Sequence, residues 1–481
     1  MKYLIVVLLA VWGFVQLTTF FFNPKSDPTS ATLIQFAEAP THRLSDPYRN
    51  GYFYLLGLLA ASSQDPAKVG YDMWVENREA SRRDSFNYAK AGRAEYRLQP
   101  TSTNMLAAWE AEDPLEAFRA RQSPVRDLAT RHQVLLNRYH RCISMPFEDW
   151  GYGFDATPRF VEPMILHRLY VAQGFAQSTT LGIERMYREL IFWRTVLREA
   201  ATPATKVLAS VVLRDDAAVL SRMLSRPSVD KALMAAGLQL TLPLTPSEYS
   251  IRWPVQHEVA LSLRHRTHSS RSDETHLEAE EAREWLEHLA HLPAQTFDKL
   301  AHPATSSWLT LGSQQTENLY AAYYEAVIKG SGAGQGTLPR LDQIARTMRR
   351  GIFDQLLSPA LVEPQWDILI HQLMETDTRL RLTSLQIQLR RHGSTVPVPT
   401  RLAEVGSQYF DPFTGLPMLW SPTQQRLYSV GKDRLDDGGD PSFDITVPAV
   451  LTAPSAPPPS TRPTGKQAAA SYAHGFAVDL A

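Results

Sequence analysis

Apolar residues recur at three- and four-residue steps through most of the chain between about residues 31 and 393, and that period predicts helices. Ser123-Pro124 reads as the N-cap and first position of one helix, with Val125, Leu128, Leu135, Leu136, Tyr139, Cys142 and Ile143 on a single buried face. Asp46-Pro47, Asp65-Pro66, Asp113-Pro114 and Thr245-Pro246 repeat the start signal, the last with Glu248 completing a capping box. Gly330, Gly351 and Gly393 read as stops. A helical domain is therefore expected over 46–329, followed by a glycine-rich flexible connection at 330–337 and a helical connection at 338–363. A helix from Trp366 to Arg391 should then carry Leu369, Leu373, Leu380 and Ile387 toward the C-terminal part. No fixed-period repeat is visible, although a solenoid of irregular helical hairpins fits the same pattern.

Two stretches break the amphipathic rhythm by being too apolar. Residues 3–22 carry no charge, and about 20 residues at 1.5 Å each match a hydrocarbon core of about 30 Å. With Phe20-Phe21-Phe22 and Asn23-Pro24 at its end in place of a small-residue cleavage site, 1–23 reads as an uncleaved signal anchor, with a linker over 24–45. A two-residue tail bearing Lys2 favours insertion with the N-terminus inside and the body outside. Residues 46–61 are too short to cross a membrane and are expected as a buried core helix.

After the long helix the period shortens. Met418–Trp420 and Arg426–Val430 are β-patterned runs around a Ser421-Pro422 turn, and an Asp/Gly-rich loop follows. It holds Asp433, Asp436, Asp437, Asp440 and Asp444, with Gly438-Gly439 between them and Arg434 as the opposing charge. Carboxylates so crowded repel one another unless solvated or neutralised, and a hard cation taking six to eight oxygens from a flexible loop neutralises them best, which favours Ca2+ over Mg2+. An EF-hand register starting at Asp433 fails, because its third position is Leu435 and no long helix follows.

The run 376–445 resembles the globular part of the major pseudopilins of type II secretion systems. The matching features are the helix through Arg390, His392-Gly393 with Pro397 and Pro399, and Asp411-Pro412-Phe413-Thr414-Gly415. Ser429-Val430-Gly431-Lys432-Asp433, Gly438-Gly439 and Asp444-Ile445 complete the match. The resemblance implies an α+β unit over 364–447 with a structural calcium ion held by the side chains of Asp433 and Asp444 and by loop carbonyls. Asp436, Asp437 and Asp440 would assist. The family's leader and G-F-T-L-I-E start have no counterpart, since Thr32-Leu33-Ile34-Gln35 has no apolar helix after it, so the chain is not expected to be a pilin subunit.

Composition narrows the classes further. With 481 residues, 44% hydrophobic, the chain can bury a large core. A net charge of −1 argues against a nucleic-acid surface, and the single Cys142 excludes an intrachain disulfide or a cysteine zinc site. His257, His265, His268, His276, His288 and His291 form the tempting metal group, with Glu284 and Glu287 four residues before His288 and His291. They lack H-E-x-x-H and read as a solvated helix and loop. No nucleophile elbow, P-loop or Cys/His pair is present, and no catalytic residue is assigned. Phe147, Trp150, Tyr152 and Phe154 read as aromatic packing under a loop. The Pro-rich tail 448–481 is expected to be disordered.

The expectation is a mainly α protein: an N-terminal transmembrane helix, a multi-helix extracytoplasmic domain and a small C-terminal α+β unit with a β-hairpin and acidic loop. It would serve as a single-pass inner-membrane scaffold or interaction protein of the bacterial envelope, its bulk in the periplasm, partnered with the membrane and with envelope or secretion-system proteins. The rival expectation is an extracytoplasmic hydrolase or ligand-binding helical protein with a pocket between the middle helices, near Trp150.

Overall fold

Local caps set where most helices begin. The computed structural model describes residues 28–80, 107–153, 161–266, 318, 321–322, 324–329, 366–391 and 396–448. Within them, Ser30 caps α1 (Ala31–Ala37), and Asp46 closes a 3-10 turn that leads to Asn50, the cap of α2 (Gly51–Leu56). Asp65 accepts from the Ala67 N–H at the start of α3 (Pro66–Ala80), and Asp113 caps α4 (Pro114–Ala120). The expected span 3–22, the connections 330–337 and 338–363 and the tail beyond 448 lie outside the described residues. Among the described residues no helix is long and apolar enough to cross a membrane. Of residues 46–61, expected as one buried helix, only α2 is helical after the 3-10 turn; Tyr52, Phe53, Tyr54 and Leu55 are buried in the core, whereas Asp46, Tyr48 and Arg49 are exposed.

The helix expected from Ser123 is two helices, α5 (Gln122–Arg131) and α6 (Gln133–Cys142), divided at His132. Its N-cap is Arg121 rather than Ser123, because Arg121 already ends α4 and the chain turns directly into α5. Leu128, Leu135 and Leu136 are buried on both sides of the break, so the apolar face runs on where the backbone does not. Hydrophobic period reports the face, not the hydrogen-bond ladder.

The centre of the molecule is a run of three long helices, α7 (Val161–Gln177), α8 (Thr179–Glu199) and α9 (Pro203–Leu224). Ser178 alone joins α7 to α8, and Ala200, Ala201 and Thr202 join α8 to α9, so each helix turns back along its predecessor. Almost all of α9 is buried, including Lys206, Ser210, Arg214, Asp216 and Ser221. A helix covered on every side must give its polar groups partners from neighbours. Three shorter helices follow, α10 (Lys231–Leu240), α11 (Pro246–Tyr249) and α12 (Arg252–Arg266). The Thr245–Glu248 capping box at α11 forms as read from sequence.

Helix α13 (Trp366–Arg391) is the second axis. Thr376 donates to Ser210 O, Gln386 to Ser221 O and Arg390 to Leu224 O, a register that runs in step along both helices and makes α13 parallel to α9. The face expected to meet the C-terminal part, Leu369, Leu373, Leu380 and Ile387, instead packs into the main helical core. Leu382, Leu385 and Leu389 meet Leu402, Met418, Leu427 and Val447, because a helix shared by two cores is apolar on two faces.

That second core joins α13 to α14 (Val398–Glu404) and to an antiparallel sheet of order β1 (Leu419–Ser421), β2 (Arg426–Ser429), β3 (Ile445–Pro448). Trp420 pairs with Leu427 across the hairpin, and Leu427 pairs with Val447 on the other side. The hairpin was legible in the sequence, while β3 was not, being four residues with no alternation of its own. The acidic loop is the connection from β2 to β3.

Candidate functional site

Two places in the described chain gather acidic groups, one on the surface and one in the core. On the surface, the Asp411–Gly415 turn seats the sheet against α13. Phe413 N–H donates to Asp411 Oδ1 at 2.9 Å, Gly415 N–H donates to Asp411 O at 2.7 Å, and the fully buried Phe413 ring stacks on His371. From there the hairpin delivers the chain into the loop through Gly431, whose φ of 67° only glycine adopts without strain.

The five loop aspartates have different surroundings. Asp433 Oδ1 accepts from Leu435 N–H at 3.1 Å and Asp440 Oδ1 from Ser442 N–H at 2.9 Å, each closing its own turn. Hydrogen bonds within its turn, from the Ser442 backbone first, hold Asp440 below the usual carboxylate range. Asp436 Oδ1 accepts from Tyr428 OH at 3.0 Å and from Gly438 N–H at 2.9 Å, tying the loop to the sheet.

Asp444 differs from the other four, being only 4% exposed. Its Oδ2 accepts from Gly439 N–H at 2.8 Å, and its buried Oδ1 has no partner. Burial, and then the charges of Asp437 and Asp436, raise its pKa above the usual carboxylate value. The fold thus brings Asp436 and Asp437 into the field of a buried, half-satisfied carboxylate, while Asp433 and Asp440 face the turns they close. An orphaned buried oxygen in an acidic loop is the environment a hard cation relieves.

The core gathering was not foreseen. Among the described residues, the group of three potential ligands whose donor atoms all lie within 4.8 Å of one another is His167, Glu189 and Asp216, one each from α7, α8 and α9. His167 Nδ1 contacts Glu189 Oε1, and His167 Nε2 lies 3.3 Å from Asp215 Oδ2. Arg168 grips Asp215 with two bonds, Nε to Oδ2 at 2.7 Å and Nη2 to Oδ1 at 2.9 Å. Tyr139 OH donates to Glu189 Oε2 at 3.1 Å and accepts from Trp193 Nε1 at 2.9 Å. Asp216 is 2% exposed, and neither of its oxygens has a partner.

Electrostatics follow from that geometry. Burial, reinforced by neighbouring Glu189, pushes Asp216 well above the carboxylate range. Burial opposes charge on His167, but Glu189, Asp216 and Asp215 outweigh it and raise the imidazole to about 10. Burial acts upward on Asp215 too, yet the Arg168 guanidinium and His167 hold that carboxyl low. The sequence signal was present but faint: Asp215-Asp216 interrupt an apolar run in α9, and His167 sits inside another.

The histidine group read from sequence does not behave as a solvated surface where it is described. His257 is buried and accepts from Gly153 N–H at 2.8 Å, and Tyr152 packs edge-on against its ring. The side chain of His265, and His268, His276, His288 and His291, lie outside the described residues. Near Trp150 the aromatics pack on one another: Trp150 stacks on His42 and meets Phe53 and Trp74 edge to face. Phe154 lies outside the described residues. Cys142 is buried and free, and burial pushes its thiol far above the reactive range.

Compared with known proteins, the chain matches no family model, no curated protein and no solved structure.

Proposed function

We propose that this chain is a membrane-anchored scaffold or interaction protein of the bacterial envelope, with a large helical body outside the cytoplasm and a C-terminal unit whose acidic loop a calcium ion pins. The observation that carries the reading is Asp444, buried with one oxygen unpartnered in a loop where Asp436 and Asp437 add negative charge. The order of elements supports the pseudopilin resemblance, since a long helix, a hairpin and the acidic loop occur in that sequence. Anchoring rests on the uncharged run 3–22, and an extracytoplasmic body would meet the calcium concentrations that a modest loop site requires. Leu435 and Phe443, 64% and 65% exposed beside the acidic groups, offer apolar contacts whose position the ion would fix. A link to secretion or pilus-like assembly follows from the resemblance alone.

Calcium titration of the full-length chain in detergent, read by calorimetry, tests the reading. One site is expected, lost in Asp444→Ala, and at about a hundredfold excess over Kd the ion should add about 2.7 kcal/mol to the unit that binds it. No heat of binding, or equal binding by Asp444→Ala, would sink the proposal.

A further inference from the structure

The core group has features that packing and pairing alone do not explain. Buried carboxylates ordinarily have hydrogen-bond partners, and both oxygens of Asp216 lack one. Glu189 and Asp216 converge from different helices, an arrangement that either a shared proton or a shared metal cation must relieve. Around them, the supporting contacts have the form used to orient metal ligands. A histidine that ligates through one ring nitrogen characteristically donates its other N–H to a carboxylate, and ligating carboxylates are themselves hydrogen-bonded. Here Asp215 stands at His167 Nε2 and is fixed by Arg168, while Tyr139, backed by Trp193, holds Glu189.

We propose that His167 Nδ1, Glu189 and Asp216 hold a divalent transition-metal ion at the junction of α7, α8 and α9, with Asp215, Arg168 and Tyr139 orienting the ligands. One imidazole nitrogen with carboxylate oxygens suits manganese, iron or zinc, whereas calcium takes six to eight oxygens and no nitrogen. Charge agrees as well. Binding at Nδ1 would displace the proton that His167 otherwise carries, after which a doubly charged ion and Arg168 would balance Glu189, Asp215 and Asp216 inside the core. Full burial makes the ion a structural fastener acquired as the chain folds, distinct in chemistry and position from the surface calcium loop.

The test refolds the full-length chain in detergent with Mn2+, Fe2+ under anaerobic conditions, or Zn2+, removes free ions by gel filtration and measures metal per chain by mass spectrometry. Co2+ serves as a spectroscopic substitute. One ion per chain is expected in the wild type and in Asp444→Ala, and none in the near-isosteric Asp216→Asn. A melting temperature raised by the same metal should accompany it in the wild type and disappear in Asp216→Asn. Should Asp216→Asn fail to fold, metal content and melting of the wild type with and without chelator decide the matter. Absence of retained metal from the wild type, or equal retention by a folded Asp216→Asn, would overturn the site and leave Glu189 and Asp216 as a proton-sharing pair.

Discussion

Lys206 shows how far a single buried charge can control stability. Its side chain is fully enclosed in α9, and its Nζ donates to Leu197 O in the last turn of α8 at 2.7 Å. Burial lowers its pKa to about 7, opposed only in part by Glu248. The unfolded chain keeps this proton up to about pH 10.4, so between pH 7 and 10 the unfolded state binds more protons and the lysine's penalty shrinks as pH rises. Lys206→Met removes the titration and also the bond to Leu197, a loss independent of pH. Its stability relative to the wild type should therefore be most favourable at pH 7 and decline by about 1.4 kcal/mol per pH unit toward pH 10. Urea unfolding at pH 7, 8 and 9 checks this, and a gap that does not change with pH would refute the buried neutral amine. At this scale the sequence was readable where neighbours along the chain settle a residue's role. The capping residues Asp46, Asp113 and Thr245 belong to that class. His167 and Asp216 do not, because their partners lie on other helices.

Between elements, close contacts decide which substitutions the fold tolerates. At the crossing of α2 and α3, a Cβ on Gly70 would lie 1.9 Å from Phe53 O and one on Gly57 would lie 2.0 Å from Pro66 O. Backbone cannot yield as a side-chain tip does, so Gly70→Ala should cost about 3 kcal/mol, near the upper end for overpacking. Gly438, with φ of 71° and nothing near its missing Cβ, should lose only about 1 kcal/mol on replacement by alanine, from backbone strain alone. Denaturation of the two variants side by side measures the difference, and equal losses would contradict the close approach. Helix α13 carries the parallel lesson. Leu385 lies in the core under the sheet, so Leu385→Ala should cost about 2–5 kcal/mol and should loosen β1–β3 before the main body. Its periodicity announced a helix correctly but could not say which of two apolar faces met the sheet, since both are buried.

For the molecule as a whole, a mainly helical body with a small C-terminal hairpin was legible because period and caps are local signals, while the third strand was not. How α13 ties the sheet to α9 was not, since the bonds from Thr376, Gln386 and Arg390 join residues more than 160 positions apart. Orientation of the proposed membrane anchor is a property of this scale. A C-terminal alkaline phosphatase fusion should be active in bacteria and a cytoplasmic reporter fused at the same point silent, with the reverse pattern placing the body in the cytoplasm. The most direct measurement is hydrogen exchange on the full-length chain in calcium and in chelator, followed across residues 433–447. Calcium binding at Asp444 should slow exchange at Gly439 and through β3 while leaving α7–α9 unchanged, and Asp444→Ala should exchange equally fast in both conditions. Identical exchange of the wild-type loop with and without calcium would contradict the calcium-fastened unit on which the proposed function rests.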